Sequence, residues 1–329
     1  MTIDVHAHYV PKGWPDLEAA CGGTNWPWLR IDSEREAMIM LGDAEFRRIL
    51  SDCWDPQVRL RDLDDDRVEQ QVVSPTPVFF SYARSADQAA KVCRIFNDLA
   101  LEMLDGYESR LIPFAQVPLQ DPDLACAELD RAMSAGHRGV EIGNHIGDRD
   151  LDDEGVVTFL QHAASIGAPV FVHPWDMANS ARMDRWMGQW LVGMPAETQL
   201  SILTMVLGGV FDRVPESLRI AFAHGGGSFP MWLGRMDNAW EKRQDVVRGS
   251  STQPPSAYVN RFFVDSVVFN DASLRLLIDT MGPSQVMVGS DYPYPFGERP
   301  IANLVRHAPI DEHTRSLILS ENARRFLGT

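Results

Sequence analysis

The chain has 329 residues, 45% apolar and 23% charged, the composition of a globular protein with a substantial core and room for one large domain or two ordinary ones. With 46 acidic against 30 basic side chains the formal net charge is −16. That argues against a nucleic-acid partner, because such binding rests on neutralising phosphates with Lys and Arg. A small anionic substrate needs only a local patch of arginines and stays open. No basic segment followed by an apolar run opens the sequence, and the longest weakly polar stretch, around 202–211, is too short to span a bilayer. A cytoplasmic protein without membrane contact is expected. Cys21, Cys53, Cys93 and Cys126 form no CxxC pair, which favours reduced, mostly buried thiols over disulfides or a thiolate metal site.

At the start, Ile3, Val5 and Ala7 alternate with Asp4, His6 and His8, the period-2 pattern of a strand with two unlike faces. His6 and His8 then share a face at roughly 6–7 Å, near enough for both imidazoles to reach one metal ion. Such triplets also arise by chance, so further ligands must come from elsewhere. From Pro11 to about Arg61 follows a stretch rich in Trp, Pro and charge. A connection that long is usually functional or a small inserted subdomain, and the reading is a lid.

Beyond it the sequence predicts strands at Gln70–Ser74, Leu111–Val117, Arg138–Gly143, Ala168–His173, Leu218–His224, Phe262–Ser266 and Gln285–Asp291, after a first strand at Ile3–His8. Helical patterns lie between most of them: Ala86–Leu104, Pro122–Ser134 with Asp121 as N-cap, Leu151–Ile166, Ala196–Phe211 and Ala272–Met281, with Asp311–Phe326 last. Eight alternations predict an α/β (β/α)8 TIM barrel with a small insertion after strand 1, one domain over 1–329 with the lid at about 11–61. An open doubly wound sheet is the rival, but no GxGxxG follows the first strand.

Strand five ends in Val172-His173-Pro174, strand six in Ala223-His224-Gly225 and strand eight in Ser290-Asp291-Tyr292. In a barrel, strand C-termini face one cavity. Each of these residues alone has a structural explanation: a core histidine, a turn histidine before glycines, an aspartate capping a loop. Five metal-competent residues on four strand ends are harder to explain that way. His6, His8, His173 and Asp291 form a set suited to one zinc ion with a position left for water. His224 is then a spare imidazole, placed to act as a base towards that water. A second metal usually needs a lysine on strand four, which reads Arg138-Gly139-Val140-Glu141-Ile142-Gly143. The Gly225–Gly227 run lacks the Lys-Ser/Thr of a phosphate loop.

With these residues in view the chain resembles the amidohydrolase superfamily, its decarboxylase branch and, within that, the α-amino-β-carboxymuconate-ε-semialdehyde decarboxylase family. The resemblance covers nearly the whole chain. It rests on DVHAHYVPK at 4–12, CWDPQVR at 53–59, AQVPLQDPDLA at 115–125, HPWDM at 173–177, LVGMPAET at 191–198, FAHGGGSFP at 222–230 and GSDYPYPFGE at 289–298. It implies zinc on His6, His8, His173 and Asp291, with His224 as acid/base. It also implies a substrate-carboxylate arginine at Arg47 and, at Arg243, an arginine reaching the neighbouring subunit's site, so that a homodimer is the active unit. A fixed guanidinium fork suits carboxylates, although most arginines are merely solvated. Trp190 and Tyr294 match pocket aromatics, Tyr294 at a position more often Phe in the family; both could equally be core. The implied reaction is non-oxidative decarboxylation of a small dicarboxylate semialdehyde, in tryptophan (kynurenine) or nitrobenzoate degradation, without organic cofactor or O₂. The rivals are a hydrolase of a lactone or amide, a decarboxylase of an aromatic acid such as resorcylate, and a metal-binding module without catalysis.

Overall fold

The computed structural model describes residues 1–177, 181–247 and 249–329. Strand one is laddered at Ile3–Asp4 and again at His8–Tyr9. The others are Gln70–Pro75, Leu111–Pro113, Val140–Gly143, Val170–His173, Ile220–Phe222, Phe263–Asp265 and Val286–Met287. Each pairs in parallel with its neighbour in the chain, as in Ile3↔Gln70, Gln71↔Leu111, Phe171↔Ala221 and Val264↔Val286. Single bridges complete the ring at two seams. Ala115↔Val140 joins strands three and four, and Ala7↔Tyr292 joins eight back to one. Backbone bonds from Ala115 N–H to the Gly139 carbonyl and from Val5 N–H to the Val288 carbonyl, both 2.9 Å, reinforce them. The expected (β/α)8 barrel is what the chain builds.

The ladders are shorter than the apolar runs suggested. His224 and Asp291 adopt φ of 55° and 59°, a left-handed conformation outside the range of strand geometry. The strand ends thus turn into the barrel mouth rather than continue. Inside, Ile3, Val5, Phe114, Phe171, Ala221 and Phe263 form an apolar floor, closed from below by Phe326 of the last helix.

Helix Ala86–Leu104 stands as expected, with Ser85 accepting the Gln88 N–H, and Pro122–Ala135 begins on Asp121, which accepts the N–H groups of Asp123 and Leu124. Glu154–Ser165 and Asp271–Met281 match within a few residues. The helix expected over Ala196–Phe211 divides into Met194–Leu207 and Val210–Arg213, because Gly209 takes φ 70° between them. The last expected helix contains a wide turn at Leu317–Glu321 between Glu312–Ser316 and Asn322–Leu327. Two longer helices are additions to the sequence reading, besides the short Leu17–Cys21 and Asn303–His307. Pro56–Asp65 crosses the end assigned to the insertion. Phe229–Lys242 follows the triple glycine, with Pro230 in its first turn, where no N–H is needed. A further correction concerns Gln189–Leu207, which is helical throughout and long and apolar enough by composition to cross a membrane. Its Ile202, Met205 and Val206 are buried in the layer between helices and barrel, whereas Leu191, Val192 and Leu200 are exposed.

Between strands one and two lie a short helix, Leu17–Cys21, and a three-stranded antiparallel sheet of Pro27–Ile31, Glu36–Leu41 and Ala44–Leu50. Ala37, Ile39 and Ile49 of this sheet cluster with Trp26, Trp54, Phe79 and Phe96. That packing fixes the sheet to the barrel and brings Phe46 and Arg47 to the mouth.

Candidate metal centre and active site

Strand one breaks its alternation to make the site. Val5 joins Ile3 in the inner floor. The Asp4 carboxylate instead accepts hydrogen bonds from Gln71 Nε2 (2.7 Å), Ser290 Oγ (2.6 Å) and the His6 backbone N–H (3.1 Å). It therefore touches His6 at the backbone and not at the ring, unlike the shared face that simple alternation suggests. Burial raises Asp4 to about 6.

The rings of His6 and His8 converge, with Nε2 to Nε2 at 3.2 Å. Asp291 Oδ1 lies 3.2 Å from His8 Nε2 and 3.6 Å from His6 Nε2. Ligand atoms about 2.1 Å from a tetrahedral ion stand roughly 3.4 Å apart, so these three atoms have the spacing of ligands on one ion. The His173 ring centroid is 5.1 Å from that of His6 and 4.8 Å from that of His8. His224 closes the group, with Nε2 3.9 Å from Asp291 Oδ2. Donor atoms of His6, His173, His224 and Asp291 all fall within 4.8 Å of one another. The structure thus brings together all five residues singled out on the strand ends. Three imidazoles and a carboxylate are a fitting donor set for a first-row divalent ion, with one imidazole to spare.

Electrostatics follow from the crowding. Burial lowers His6, and burial with the surrounding imidazoles puts His173 well below the ordinary value. Both shifts favour the neutral imidazole, the form able to offer a lone pair to a metal ion. His8 also feels burial, but the charges of Glu141 and Asp291 outweigh it and raise the ring. Asp291, partly buried, lies well below a usual carboxylate because the His224 and His8 imidazoles stand beside it.

Two buried acids here escaped the sequence reading. Asp265, at the end of strand seven, bonds through Oδ2 to His6 Nδ1 at 2.6 Å. An isolated aspartate ending an apolar strand was its only signal. Glu141 is fully buried, 3.9 Å from His8 Nδ1, with neither oxygen hydrogen-bonded, and burial raises it to about 7. The sequence showed it at the strand-four position where a lysine was sought.

Above the centre lies a cavity of about 430 Å³ walled by Phe46, Trp175, Trp190, Tyr294 and Phe296, with His8, His173 and Asp291 at its base. Arg47 projects into it, its guanidinium carbon 4.5 Å from the Tyr294 ring centroid. Among the described residues it has no carboxylate partner, whereas Arg48 pairs with Glu36. The Tyr294 hydroxyl meets Thr76 Oγ1 at 2.6 Å. Arg243 is elsewhere: it is exposed, ion-paired with Asp245 at 2.9 Å, and absent from the cavity wall of its own chain. A cleft of about 600 Å³ at the other end of the barrel, among Arg138, Arg219 and Arg324, holds no cluster of metal-competent side chains among the described residues.

The sequence profile of the amidohydrolase family matches residues 3–329. The chain belongs to the amidohydrolase family. Within it, a 2-amino-3-carboxymuconate-6-semialdehyde decarboxylase of Dictyostelium discoideum is 37% identical over 330 residues, covering 100% of this chain and 92% of that protein. One of the same name from Caenorhabditis elegans is 29% identical, covering 99% and 94%. The crystal structure of 5-carboxyvanillate decarboxylase from Sphingomonas paucimobilis superposes with a TM-score of 0.81 at 25% identity, covering 99% of this chain and 98% of that one. In this amidohydrolase chain the site lies where barrel enzymes place theirs, at the strand C-termini.

Proposed function

We propose that this chain is a metal-dependent, non-oxidative decarboxylase that converts 2-amino-3-carboxymuconate 6-semialdehyde to 2-aminomuconate 6-semialdehyde and CO₂. The observation that carries the reading is a ligand-spaced set of imidazoles and a carboxylate beneath an apolar cavity into which projects an arginine without a carboxylate partner among the described residues. The names of the full-length relatives support it.

His6, His8, His173 and Asp291 would hold one zinc ion per chain. Such an ion supplies Lewis-acid polarisation of a bound oxygen and lowers the pKa of bound water. Arg47 binds a substrate carboxylate through its planar fork, and the Tyr294 and Phe46 rings keep the guanidinium in place. Trp190, Tyr294 and Phe296 exclude water around the conjugated chain. As the carbon–carbon bond to the leaving carboxylate breaks, its electron pair passes into the conjugated semialdehyde. CO₂ departs, and His224 Nε2 delivers the proton that the carbon takes up. Fixed positive charge at Arg47 balances the charge that develops. The insertion acts as a lid, since it carries Arg47 and Phe46. Arg243 would complete the site of a second copy in a homodimer.

A second reading, decarboxylation of an aromatic acid, has support from the ring-lined cavity and from the carboxyvanillate enzyme's likeness. One assay separates the two. Chelator-treated protein reloaded with zinc is given freshly made aminocarboxymuconate semialdehyde or a dihydroxybenzoate, and chromophore loss and CO₂ are followed. Turnover is expected on the semialdehyde only, absent after chelation, with metal analysis giving about one ion per chain. His224→Ala is expected to keep the metal and lose about 10²–10⁴ in kcat. No CO₂ from the semialdehyde removes the proposal, and about two ions per chain removes the mononuclear site.

A further inference from the structure

One carboxylate stands behind both halves of this centre. Asp265 is fully buried and serves four nitrogens. Its Oδ2 meets His6 Nδ1 at 2.6 Å and accepts the His224 backbone N–H at 2.9 Å. Its Oδ1 accepts the N–H of Gly225 at 2.8 Å and of Val267 at 3.1 Å. A Cβ on Gly289 would come within 2.7 Å of Asp265 Cβ and 3.0 Å of His6 Cβ, so strand eight leaves this contact just enough room.

We propose that Asp265 is a positioning residue that sets the tautomer of His6 and the seat of His224 together. A carboxylate at Nδ1 requires the proton on that nitrogen, which leaves the Nε2 lone pair free. Nε2 is the atom that faces His8 Nε2 and Asp291 Oδ1. The same carboxylate holds His224 and Gly225 through consecutive amides, at φ 55° and 63°; the left-handed backbone is free for the glycine but costly for His224, which the carboxylate helps to hold there. Through one side chain, the metal-facing nitrogen of strand one and the acid/base histidine of strand six hold a fixed relation. The part concerning His224 rests on the decarboxylase reading. The part concerning His6 rests on geometry alone.

Asp265→Asn tests this with little change in volume. A carboxamide has one acceptor oxygen where the carboxylate has two. If that oxygen stays with Gly225 and Val267, the NH₂ group faces His6 Nδ1 and drives the ring to the Nε2–H tautomer. If it turns to His6, the Gly225 and Val267 amides lose their acceptor. Metal affinity, read by competition with a chromophoric chelator, is expected to fall about 10–100-fold in the first case. In the second case affinity holds within threefold of wild type, as an order-of-magnitude margin, and kcat at saturating metal falls with KM little changed. Either pattern supports the proposal. A variant with wild-type affinity and wild-type kcat overturns it.

Should Asp265→Asn fail to fold, the wild-type metal-free protein decides. Histidine ¹⁵N spectra, with His6 identified by its loss in His6→Gln, are expected to show protonated Nδ1 and unprotonated Nε2. The opposite tautomer overturns the proposal. An Asp265 that merely stabilised the fold would lower the melting temperature and move none of these readouts. Metal affinity and tautomer also stand apart from substrate. Loss of the decarboxylase assignment with a tautomer still set by Asp265 would separate the two readings.

Discussion

The Tyr294 hydroxyl spends its hydrogen bond on Thr76 Oγ1 while its ring lies against Arg47. Tyr294→Phe keeps the ring and leaves Thr76 its bond to the Tyr9 carbonyl. The expected cost is about 0.5–1.5 kcal/mol in urea unfolding, with kcat within about twofold of wild type. A large rise in KM instead would put the hydroxyl in contact with substrate. Glu298 offers a pH-dependent counterpart. Burial raises it to about 7, against an ordinary 4.5; one oxygen accepts the Leu304 N–H and the other has no partner. Between those two pH values the folded protein holds a proton that the unfolded chain releases, so stability falls as pH rises through the window. Glu298→Gln removes the slope while a carbonyl still serves Leu304. At pH 8 the variant should unfold about 1–2 kcal/mol later than wild type, and at pH 4 the two should coincide within error, by urea titration at each pH.

At the scale of elements, the turn after strand six is the most constrained part of the site. Gly227 has φ 61° and ψ −128°, and a Cβ there would fall 2.3 Å from the Pro195 carbonyl oxygen. Gly227→Ala is expected to cost about 2–4 kcal/mol and to displace His224, so that kcat falls more than metal content. Thermal melts and metal analysis of the same preparation check both. This turn also shows where the sequence was readable. Histidines and an aspartate ending apolar strands announced the metal group by residue type alone, because chemistry of that kind has few other uses for such positions. The helix Phe229–Lys242 was hidden, since three glycines and a proline read as loop until the tight turn before it is seen. Asp265 was hidden for a different reason: one carboxylate after one strand means nothing until two distant segments and its own following turn present their nitrogens to it. The break of alternation between Val5 and His6 was likewise invisible, because period-2 patterning records no one-residue shift such as that from Asp4↔Gln71 to His8↔Ser74.

For the whole molecule, Arg243 is exposed and lies outside the cavity of its own chain, so it can serve a site only by reaching that of another copy. Trp186, Met187, Leu191 and Val192 are all more than half exposed, an apolar patch beside the cavity mouth of the kind that marks association surfaces. If a second copy covers it and lends its arginine, two separately inactive variants should rescue one another. Mixing His224→Ala with Arg243→Ala after dissociation and reassociation should restore roughly a quarter of wild-type sites, because half of the dimers are mixed and each has one intact site. Unmixed dimers should show none of that recovery, and sedimentation of the same samples reports the dimer.

The seam between strands eight and one carries a further consequence, for the order in which the protein is made. His8 and Asp291 lie 3.2 Å apart in the finished ring but 283 residues apart along the chain (291 minus 8). At ribosomal speeds of about 5–20 residues per second, the first strand waits some tens of seconds for its partner. On the proposed ligand set, a metal ion would find all of its ligands only after the last strand emerges, which would make loading a late event in biogenesis. Once bound, such an ion would add a clamp between the two ends of the chain, at a seam already crossed by backbone bonds from Val5, His8, Ser290 and Asp291 N–H groups.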